Sequence, residues 1–252
     1  MPTALITGAS SGIGLELARV FAREGYDLVL IARDQKRLEG IAQELKSVQV
    51  RVLATDLSRP EAPAEVFTAV PKVNVLVNNA GFGVFGKFAE TALVDELNMM
   101  QLNMATLVAL TKLYLPGMVA AKNGRICNVA STAAFQPGPL MAIYYATKAF
   151  VLHFSEAIGN ELEGTGVTVT ALCPGPTASG FQEQAKMEDS GLVKGKKIMD
   201  ARTVAEAGYK GIMAGKRIVI PGLMNRVIAQ SVGLMPRSLI TTVVRKMQEK
   251  VE

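Results

Sequence analysis

Three residues in the middle of the chain have the types and the spacing of a proton-transfer unit. Ser131 precedes Tyr144 by thirteen positions, and Lys148 follows Tyr144 by four. On a helix, side chains four apart share one face, with Cβ atoms about 5–6 Å apart. A neighbouring cation favours the phenolate and lowers the pKa of a tyrosine from its ordinary value of about 10. The spacing therefore predicts a phenol that protonates an alkoxide or deprotonates an alcohol near neutral pH.

A glycine-rich loop near the N-terminus predicts a dinucleotide site. An apolar run at 3–7 is followed by GASSGIG at 8–14 and then by a helical apolar pattern at 15–21. Glycines allow a tight turn and close backbone approach to a pyrophosphate, and the helix start offers free N–H groups. The loop residues predicted to contact the cofactor are Gly8, Ser10, Ser11, Gly12, Ile13 and Gly14.

The end of the second predicted strand indicates which dinucleotide is preferred. A NAD site usually carries an acid there for the ribose hydroxyls, but this chain has Ala32 followed by Arg33. An arginine can bind a 2′-phosphate through charge-assisted hydrogen bonds, so the sequence predicts NADP(H) rather than NAD(H). Asp34 comes next, and it either weakens that preference or caps the following helix.

Seven motifs in order give the chain a resemblance to the short-chain dehydrogenase/reductase family over nearly its whole length. They are TGxxxGxG at 7–14, Asp56-Leu57, NNAG at 78–81, Asn103, Ser131, YxxxK at 144–148 and Pro174-Gly175. The resemblance implies that Tyr144 is the general acid/base and that Lys148 lowers its pKa and holds the nicotinamide ribose. It also implies that Ser131 bonds the substrate oxygen and that Asn103 holds a water of the proton relay. Tyr145 is the rival acid, but it lies three residues from Lys148 instead of four.

The same resemblance implies further cofactor contacts. Asp56 would bind the adenine edge with Leu57 beside it, and Asn79, Ala80 and Gly81 would line the adenosine ribose. After Pro174-Gly175 the family often has a threonine four residues beyond the glycine, where it bonds the nicotinamide carboxamide. This chain has Ser179 at that place, which keeps the hydroxyl, and Thr177 lies in the same loop.

Alternating strand and helix patterns predict one domain over 1–252, a doubly wound Rossmann-type parallel sheet of about seven strands with helices on both faces. Predicted strands lie near 3–7, 27–32, 48–54, 73–77, 124–129, 167–173 and 217–220. Ligands are expected at the carboxyl ends of these strands. The polar, glycine-containing segment 178–200 is predicted to be a substrate lid.

A helical extension is predicted at 222–252, and three interpretations of it compete. Its apolar stripe would pack on the chain's own body and close the substrate pocket, form an oligomer interface, or lie on an acidic membrane as a basic amphipathic helix. The first is favoured. The stripe consists of Leu239, Ile240, Val243, Val244, Met247 and Val251, with Arg237, Arg245, Lys246 and Lys250 elsewhere.

Composition narrows the class of protein. The 252 residues are 49% hydrophobic and 19% charged, as in a globular chain, and the net charge of +5 suits a phosphate-rich cofactor or an acidic acyl carrier. The sequence has no basic run interleaved with aromatic residues, so nucleic-acid binding is not expected. Cys127 and Cys173 are expected to be reduced core thiols, and the lone His153 gives no metal site. No signal peptide or membrane-spanning helix is expected, so the expected location is the cytoplasm.

Two helical segments, 103–121 and 143–163, are apolar on more than one side. The family resemblance implies that these helices form a dimer interface, so a homodimer or homotetramer is expected. The predicted activity is NADPH-dependent reduction of a carbonyl on a fairly apolar substrate, such as a 3-oxoacyl thioester or a steroid-like or xenobiotic ketone. The side chains expected to line its pocket are Phe82, Phe85, Phe135, Met141 and Phe181. The alternative is a non-catalytic NADP(H) sensor, against which the complete set of catalytic residues argues.

Overall fold

A computed structural model describes residues 1–185, 187, 190–191 and 198–249. Its strands are β1 (Thr3–Thr7), β2 (Asp27–Ala32), β3 (Val50–Ala54), β4 (Val75–Asn78), β5 (Gly124–Val129), β6 (Val167–Leu172), β7 (Thr177–Ala178), β8 (Met199–Asp200) and β9 (Ile218–Val219). Its α-helices are α1 (Gly12–Arg23), α2 (Gln35–Glu44), α3 (Ala62–Ala69), α4 (Leu93–Met100), α5 (Leu107–Ala120), α6 (Ala142–Glu161), α7 (Phe181–Gln184), α8 (Ala201–Met213), α9 (Leu223–Ser231) and α10 (Arg237–Gln248). A π-helical turn, Gln101–Thr106, joins α4 to α5, and 3₁₀ turns lie at Thr132–Phe135 and Val232–Leu234.

Seven parallel strands form the main sheet in the order β3-β2-β1-β4-β5-β6-β9. The strand order reverses between β1 and β4, and this is the switch point where α/β sheets bind ligands. β7 and β8 pair separately as a short parallel ribbon. The predicted doubly wound fold is confirmed, and the predicted strand ends differ from the observed ones by one or two residues.

Strand side chains alternate between the two faces of the sheet, as the pleat requires. In β1, Ala4 and Ile6 pack with α1 and α8, whereas Leu5 packs with α3 and α5 on the other face. Phe21 of α1 and Leu110 of α5 are almost fully buried in these two cores. Burial on both faces fixes the strand register, and the register aligns the loops that follow the strands at one edge of the sheet.

One helical stretch of the described chain, Leu93–Ala120, is long and apolar enough to cross a membrane, which the sequence analysis did not expect. Met99, Leu110 and Tyr114 in this stretch are nevertheless buried against the protein's own sheet and helices. Burial of this kind is typical of a core helix in a globular fold, so length and apolar composition do not identify a membrane span here.

The predicted lid, 178–200, is only partly within the described residues, because 186, 188–189 and 192–197 lie outside them. Its described part contains α7 and buries Ala185 and Met187. In the extension, Ile240 and Val244 of α10 pack against that same group of residues. This contact is the packing on the chain's own body that the sequence analysis favoured; Lys250, Val251 and the side chain of Arg237 lie outside the described residues.

Candidate active site

A cleft of about 870 Å³ runs along the carboxyl edge of the sheet and collects most of the predicted site residues. Those that line it are Gly8, Ser10, Ser11, Gly12, Ile13, Arg33, Asp56, Leu57, Asn79, Ala80, Gly81, Ser131, Tyr144, Lys148, Pro174, Gly175, Thr177 and Ser179. Gly14 and Asn103 are absent from this lining. Side chains more than 160 positions apart therefore face one space because every strand ends at the same edge.

The glycine loop is shaped to admit a phosphate. Gly8 and Gly12 have φ of 65° and 55°, a backbone region that glycine adopts without strain. A Cβ on Gly12 would lie 2.9 Å from the Cβ of Ser179, so a side chain there would fill the cradle. Ser11, the residue before α1, makes no side-chain capping bond, which leaves the N–H groups of the first turn for an anion. These features fit the pyrophosphate of a dinucleotide.

Gly14 has a packing role instead of a contact role. A Cβ on Gly14 would lie 2.4 Å from both the carbonyl oxygen of Gly8 and Nδ2 of Asn79. The Asn79 amide donates to the carbonyl oxygens of Thr7 (2.8 Å) and Gly8 (3.2 Å), and the Thr7 hydroxyl accepts from the backbone N–H of Asn79 and Ala80 (both 2.9 Å). The prediction missed the structural role of Thr7, although the TG pair of the first motif could have indicated it.

Cationic side chains gather at the end of β2. Arg33 is exposed and lines the cleft together with Arg37, which the sequence analysis did not identify although it lies four residues further along. Asp34 accepts a hydrogen bond from the N–H of Arg37 (3.0 Å) and caps α2, and it also lines the cleft, so its effect on the NADP(H) preference stays open. Hydrogen bonds from Ser58, followed by the charges of Arg33 and Arg59, hold the pKa of Asp56 below its usual range.

Tyr144 and Lys148 lie on α6 with the Lys148 ammonium 5.8 Å from the centre of the Tyr144 ring. Lys148 is buried, and Nζ donates to the carbonyl oxygen of Val129 (2.8 Å). Burial lowers the pKa of Lys148 to about 8. Burial also raises the pKa of Tyr144 to about 12, and a hydrogen bond with Ser131 lowers it by a smaller amount.

The expected lowering of the Tyr144 pKa is therefore wrong for the protein alone. Removal from water disfavours the phenolate more than the Ser131 hydroxyl favours it. Tyr144 is consequently a neutral phenol at pH 7 and is in the form that donates a proton.

Ser131 is held by two loops. Its hydroxyl accepts from the N–H of Ala133 (3.1 Å) and donates to the carbonyl oxygen of Pro174 (3.4 Å). It also caps the 3₁₀ turn at Thr132–Phe135. These bonds tie the loop after β5 to the loop after β6 and fix the hydroxyl beside Tyr144.

Asn103 lies in the π-helical turn behind the cleft and is 1% exposed. Its amide donates to the carbonyl oxygen of Phe82 (3.0 Å) and to Oγ1 of Thr147 (3.2 Å), and its Oδ1 accepts from the N–H of Phe82 (3.2 Å). Thr147, which no sequence pattern indicated, donates in turn to the carbonyl oxygen of Tyr144 (2.7 Å), so hydrogen bonds connect Asn103 to the backbone of Tyr144. The Asn103 side chain thus positions its neighbours, and π-helical turns of this kind are frequent at functional sites.

A family model described as short chain dehydrogenase matches residues 2–190, three quarters of the chain. The protein is a member of the short-chain dehydrogenase family. It is 33% identical, over 82% of its length, to a very-long-chain 3-oxoacyl-CoA reductase from Phaeosphaeria nodorum, of which it spans only 64%.

Two solved structures share the fold of this short-chain dehydrogenase. One is a short-chain dehydrogenase from Sphingobium yanoikuyae in complex with NADPH, with a TM-score of 0.84 and 34% identity over 93% of this chain and 95% of that one. The other is a bulky-bulky ketone specific alcohol dehydrogenase from Comamonas testosteroni, with a TM-score of 0.79 and 32% identity over 93% and 94%. The family establishes an oxidoreductase whose fold binds NAD(P)(H).

Apolar side chains lie around Tyr144 in the cleft of this dehydrogenase. The Phe181 ring of α7 lies 5.1 Å from the Tyr144 ring, and Met141 and Met187 line the same part of the cleft. Of the five predicted pocket side chains, Phe82, Met141 and Phe181 line the cleft, and Phe85 packs on the adjoining cluster. Phe135 packs in a different cluster, with Leu107 and Val151.

Sequence reasoning missed several lining residues because they come from remote segments with no motif of their own. They are Asn225, Ile228 and Ala229, whereas Met187 lies in the predicted lid and Met247 in the stripe that was expected to close the pocket.

Proposed function

We propose that this short-chain dehydrogenase is an NADP(H)-dependent carbonyl reductase that acts on a fairly apolar ketone or aldehyde. The observation that carries the proposal is the neutral phenol of Tyr144, hydrogen-bonded to Ser131, close to a buried Lys148 and covered by Phe181. A proton donor with an adjacent hydroxyl and an apolar cover suits protonation of an oxygen on a water-poor substrate.

The cofactor, when bound, supplies the hydride that the carbonyl carbon receives. The chain's own residues hold the cofactor, orient the substrate and protonate its oxygen. The loop at Gly8–Gly14 would hold the pyrophosphate, Asp56 and Asn79 would lie along the adenosine end, and Arg33 would bind a 2′-phosphate.

At the reacting end, the Ser131 hydroxyl orients the carbonyl oxygen and the Tyr144 hydroxyl gives it a proton. The Lys148 ammonium stabilises the phenolate that remains, because an opposite charge at short range favours the ionised form. Asn103 and Thr147 hold the backbone around Tyr144, so the phenol stays aligned while its charge changes.

The substrate class is proposed from the apolar lining of the cleft. The 3-oxoacyl-CoA and bulky ketone activities in the names of the two relatives are in keeping with it. A 3-oxoacyl thioester or a steroid-like ketone would fill the space beside Phe181, Met141 and Met187 with apolar contact.

Oligomerisation is proposed through the outer sides of α5 and α6. Phe150 is 40% exposed and stacks on Phe154 with ring centres 5.7 Å apart, and this apolar pair would be covered in a homodimer or homotetramer. The cytoplasmic location stays a prediction from the sequence.

The test is oxidation of NADPH against a carbonyl panel with NADH in parallel, for the wild type and Arg33→Ala. The panel spans 3-oxoacyl thioesters, steroid ketones, aromatic aldehydes and diketones. We expect turnover with NADPH, a loss of roughly tenfold in NADPH affinity for Arg33→Ala and little change with NADH, because one charge-assisted contact to phosphate is removed.

Arg59→Ala, which removes another exposed arginine near Asp56 that is absent from the cleft lining, is the control and should leave both affinities unchanged. Tight NADPH binding with no turnover of any carbonyl would favour the sensor and contradict the reductase. Equal losses for both cofactors in Arg33→Ala would contradict the NADP(H) assignment.

A further inference from the structure

The last two helices present an apolar surface to solvent. We define the C-terminal apolar surface as seven side chains of α9 and α10 that are between 40% and 76% exposed: Leu223, Met224, Val227, Ile228, Leu239, Val243 and Met247. Exposed apolar side chains grouped on two successive helices are the kind of surface that marks an interaction site. Both helices reach the cleft, because Ile228 of α9 and Met247 of α10 line it.

These side chains do not lie on the faces with which α9 and α10 pack against the core. α9 already buries Ala229, and α10 buries Ile240, Val244 and Gln248. Leu239, Val243 and Met247 recur every four residues alongside that buried stripe, so α10 has a second apolar stripe, whose side chains stay 40–48% exposed.

Positive charge borders the surface. The segment 223–249 contains Arg226, Arg237, Arg245 and Lys246 but a single acid, Glu249, for a net charge of +3. Glu249 is engaged by Arg245, with 3.1 Å between Oε1 and Nε. Arg226 and Lys246 are exposed and each lies three residues after an apolar member of the surface, so their long side chains flank it. An apolar face with a cationic border is the pattern of a helix that lies on an anionic bilayer.

A second exposed apolar group shows why the charge is informative. Leu93, Val94 and Leu97 of α4 are 53–70% exposed, but the exposed acid Asp95 lies among them in the first turn of the helix. Acids beside apolar side chains would be repelled by anionic headgroups. The two apolar groups therefore differ in the charge beside them, and only the C-terminal apolar surface has the positive charge that anionic lipid attracts.

The same charge argues against a second copy of the chain as the occupant. A two-fold contact would place this net positive surface against itself, which costs energy. We propose that the C-terminal apolar surface docks the protein on an anionic lipid bilayer. Since the surface adjoins the cleft, docking would turn the cleft mouth toward the lipid, where an apolar substrate is concentrated. That consequence rests on the proposed function, whereas docking itself does not.

The test is co-sedimentation of the full chain with vesicles of phosphatidylcholine, with and without phosphatidylglycerol. We expect binding only when phosphatidylglycerol is present, and weaker binding at high salt. The variant L223S/V227S/V243S removes three members of the surface that do not line the cleft. We expect its partition coefficient to fall on the order of a hundredfold, because three half-exposed apolar side chains no longer enter the interface.

The matched control is L93S/V94S/L97S, which removes as many exposed apolar side chains from α4 and should bind as the wild type does. Reversing the border charges in R226E/K246E should reduce binding to anionic vesicles roughly tenfold or more. Thermal unfolding verifies that each variant is folded.

Absence of wild-type binding to anionic vesicles would overturn the proposal, as would equal binding by L223S/V227S/V243S. A fall in the solution molar mass of that variant without any vesicle binding would show a subunit interface and would also overturn it. Binding to an acidic acyl carrier protein but not to vesicles would likewise overturn the proposal. Because no turnover is measured, failure here leaves the reductase proposal standing.

Discussion

The two ends of the cleft are built in different ways. At the cofactor end, Gly8, Gly14 and Asn79 are fixed by backbone hydrogen bonds and by contacts that leave no room for a Cβ. At the substrate end, Phe181 and Met187 belong to segments far from Tyr144 in sequence and meet it only through apolar contact. The difference indicates that the first end tolerates almost no change, whereas the second can change its lining and keep the chemistry.

Gly14→Ala is expected to have the largest effect, and it tests whether the cofactor end tolerates almost no change. A Cβ would meet the backbone oxygen of Gly8, so α1 must shift away from the loop; we expect a loss of about 1–3 kcal/mol of stability and NADPH affinity lower by about tenfold to a hundredfold. Thermal unfolding and NADPH titration measure both quantities. Gly40→Ala on α2, whose Cβ would meet nothing within 4 Å, is the control and should bind normally. Normal binding by Gly14→Ala would show that the loop is not tightly constrained.

The pH dependence tests the boundary between the two ends, where Lys148 lies. Its pKa of about 8 means that the ammonium is present below that pH and is lost above it. We therefore expect kcat/KM for NADPH to be level below about pH 7.5 and to fall about tenfold per unit above pH 8. Lys148→Arg stays charged, so its falling limb should disappear even though its activity is lower. A wild-type profile that is level to about pH 10 would remove Lys148 from the mechanism.

Phe181→Ala tests whether the lining of the substrate end can change while the chemistry is kept. Loss of the ring that covers Tyr144 should raise KM for a bulky apolar ketone roughly fivefold, with kcat and NADPH affinity little changed. Steady-state kinetics on large and small ketones measure the split. Phe88→Ala removes an equal ring that is 63% exposed and should change neither constant. If Phe181→Ala weakened NADPH binding as much as ketone binding, the two ends would not be separable.

Prediction from the sequence followed the same division. The glycine loop, Asn79 and Tyr144 were predictable because short motifs require particular residue types at fixed spacing, and the alternation of strands and helices predicted the sheet. The cleft lining by Ile228 and Ala229 was not predictable, since an isoleucine or alanine on a helix has the same pattern whether it lines a cleft or fills a core. The pKa of Tyr144 was predicted in the wrong direction, because burial is a property of the folded chain and not of the YxxxK spacing.

The most direct test of the central claim compares Tyr144→Phe with Tyr145→Phe, which each remove one hydroxyl from neighbouring rings on α6. NADPH affinity and kcat/KM for carbonyl reduction are measured for both. Loss of a general acid predicts that Tyr144→Phe loses roughly 10²–10⁴-fold in kcat/KM with NADPH affinity retained, while Tyr145→Phe stays near wild type. Full turnover by Tyr144→Phe, or an equal loss in both variants, would contradict the assignment of Tyr144 as the proton donor.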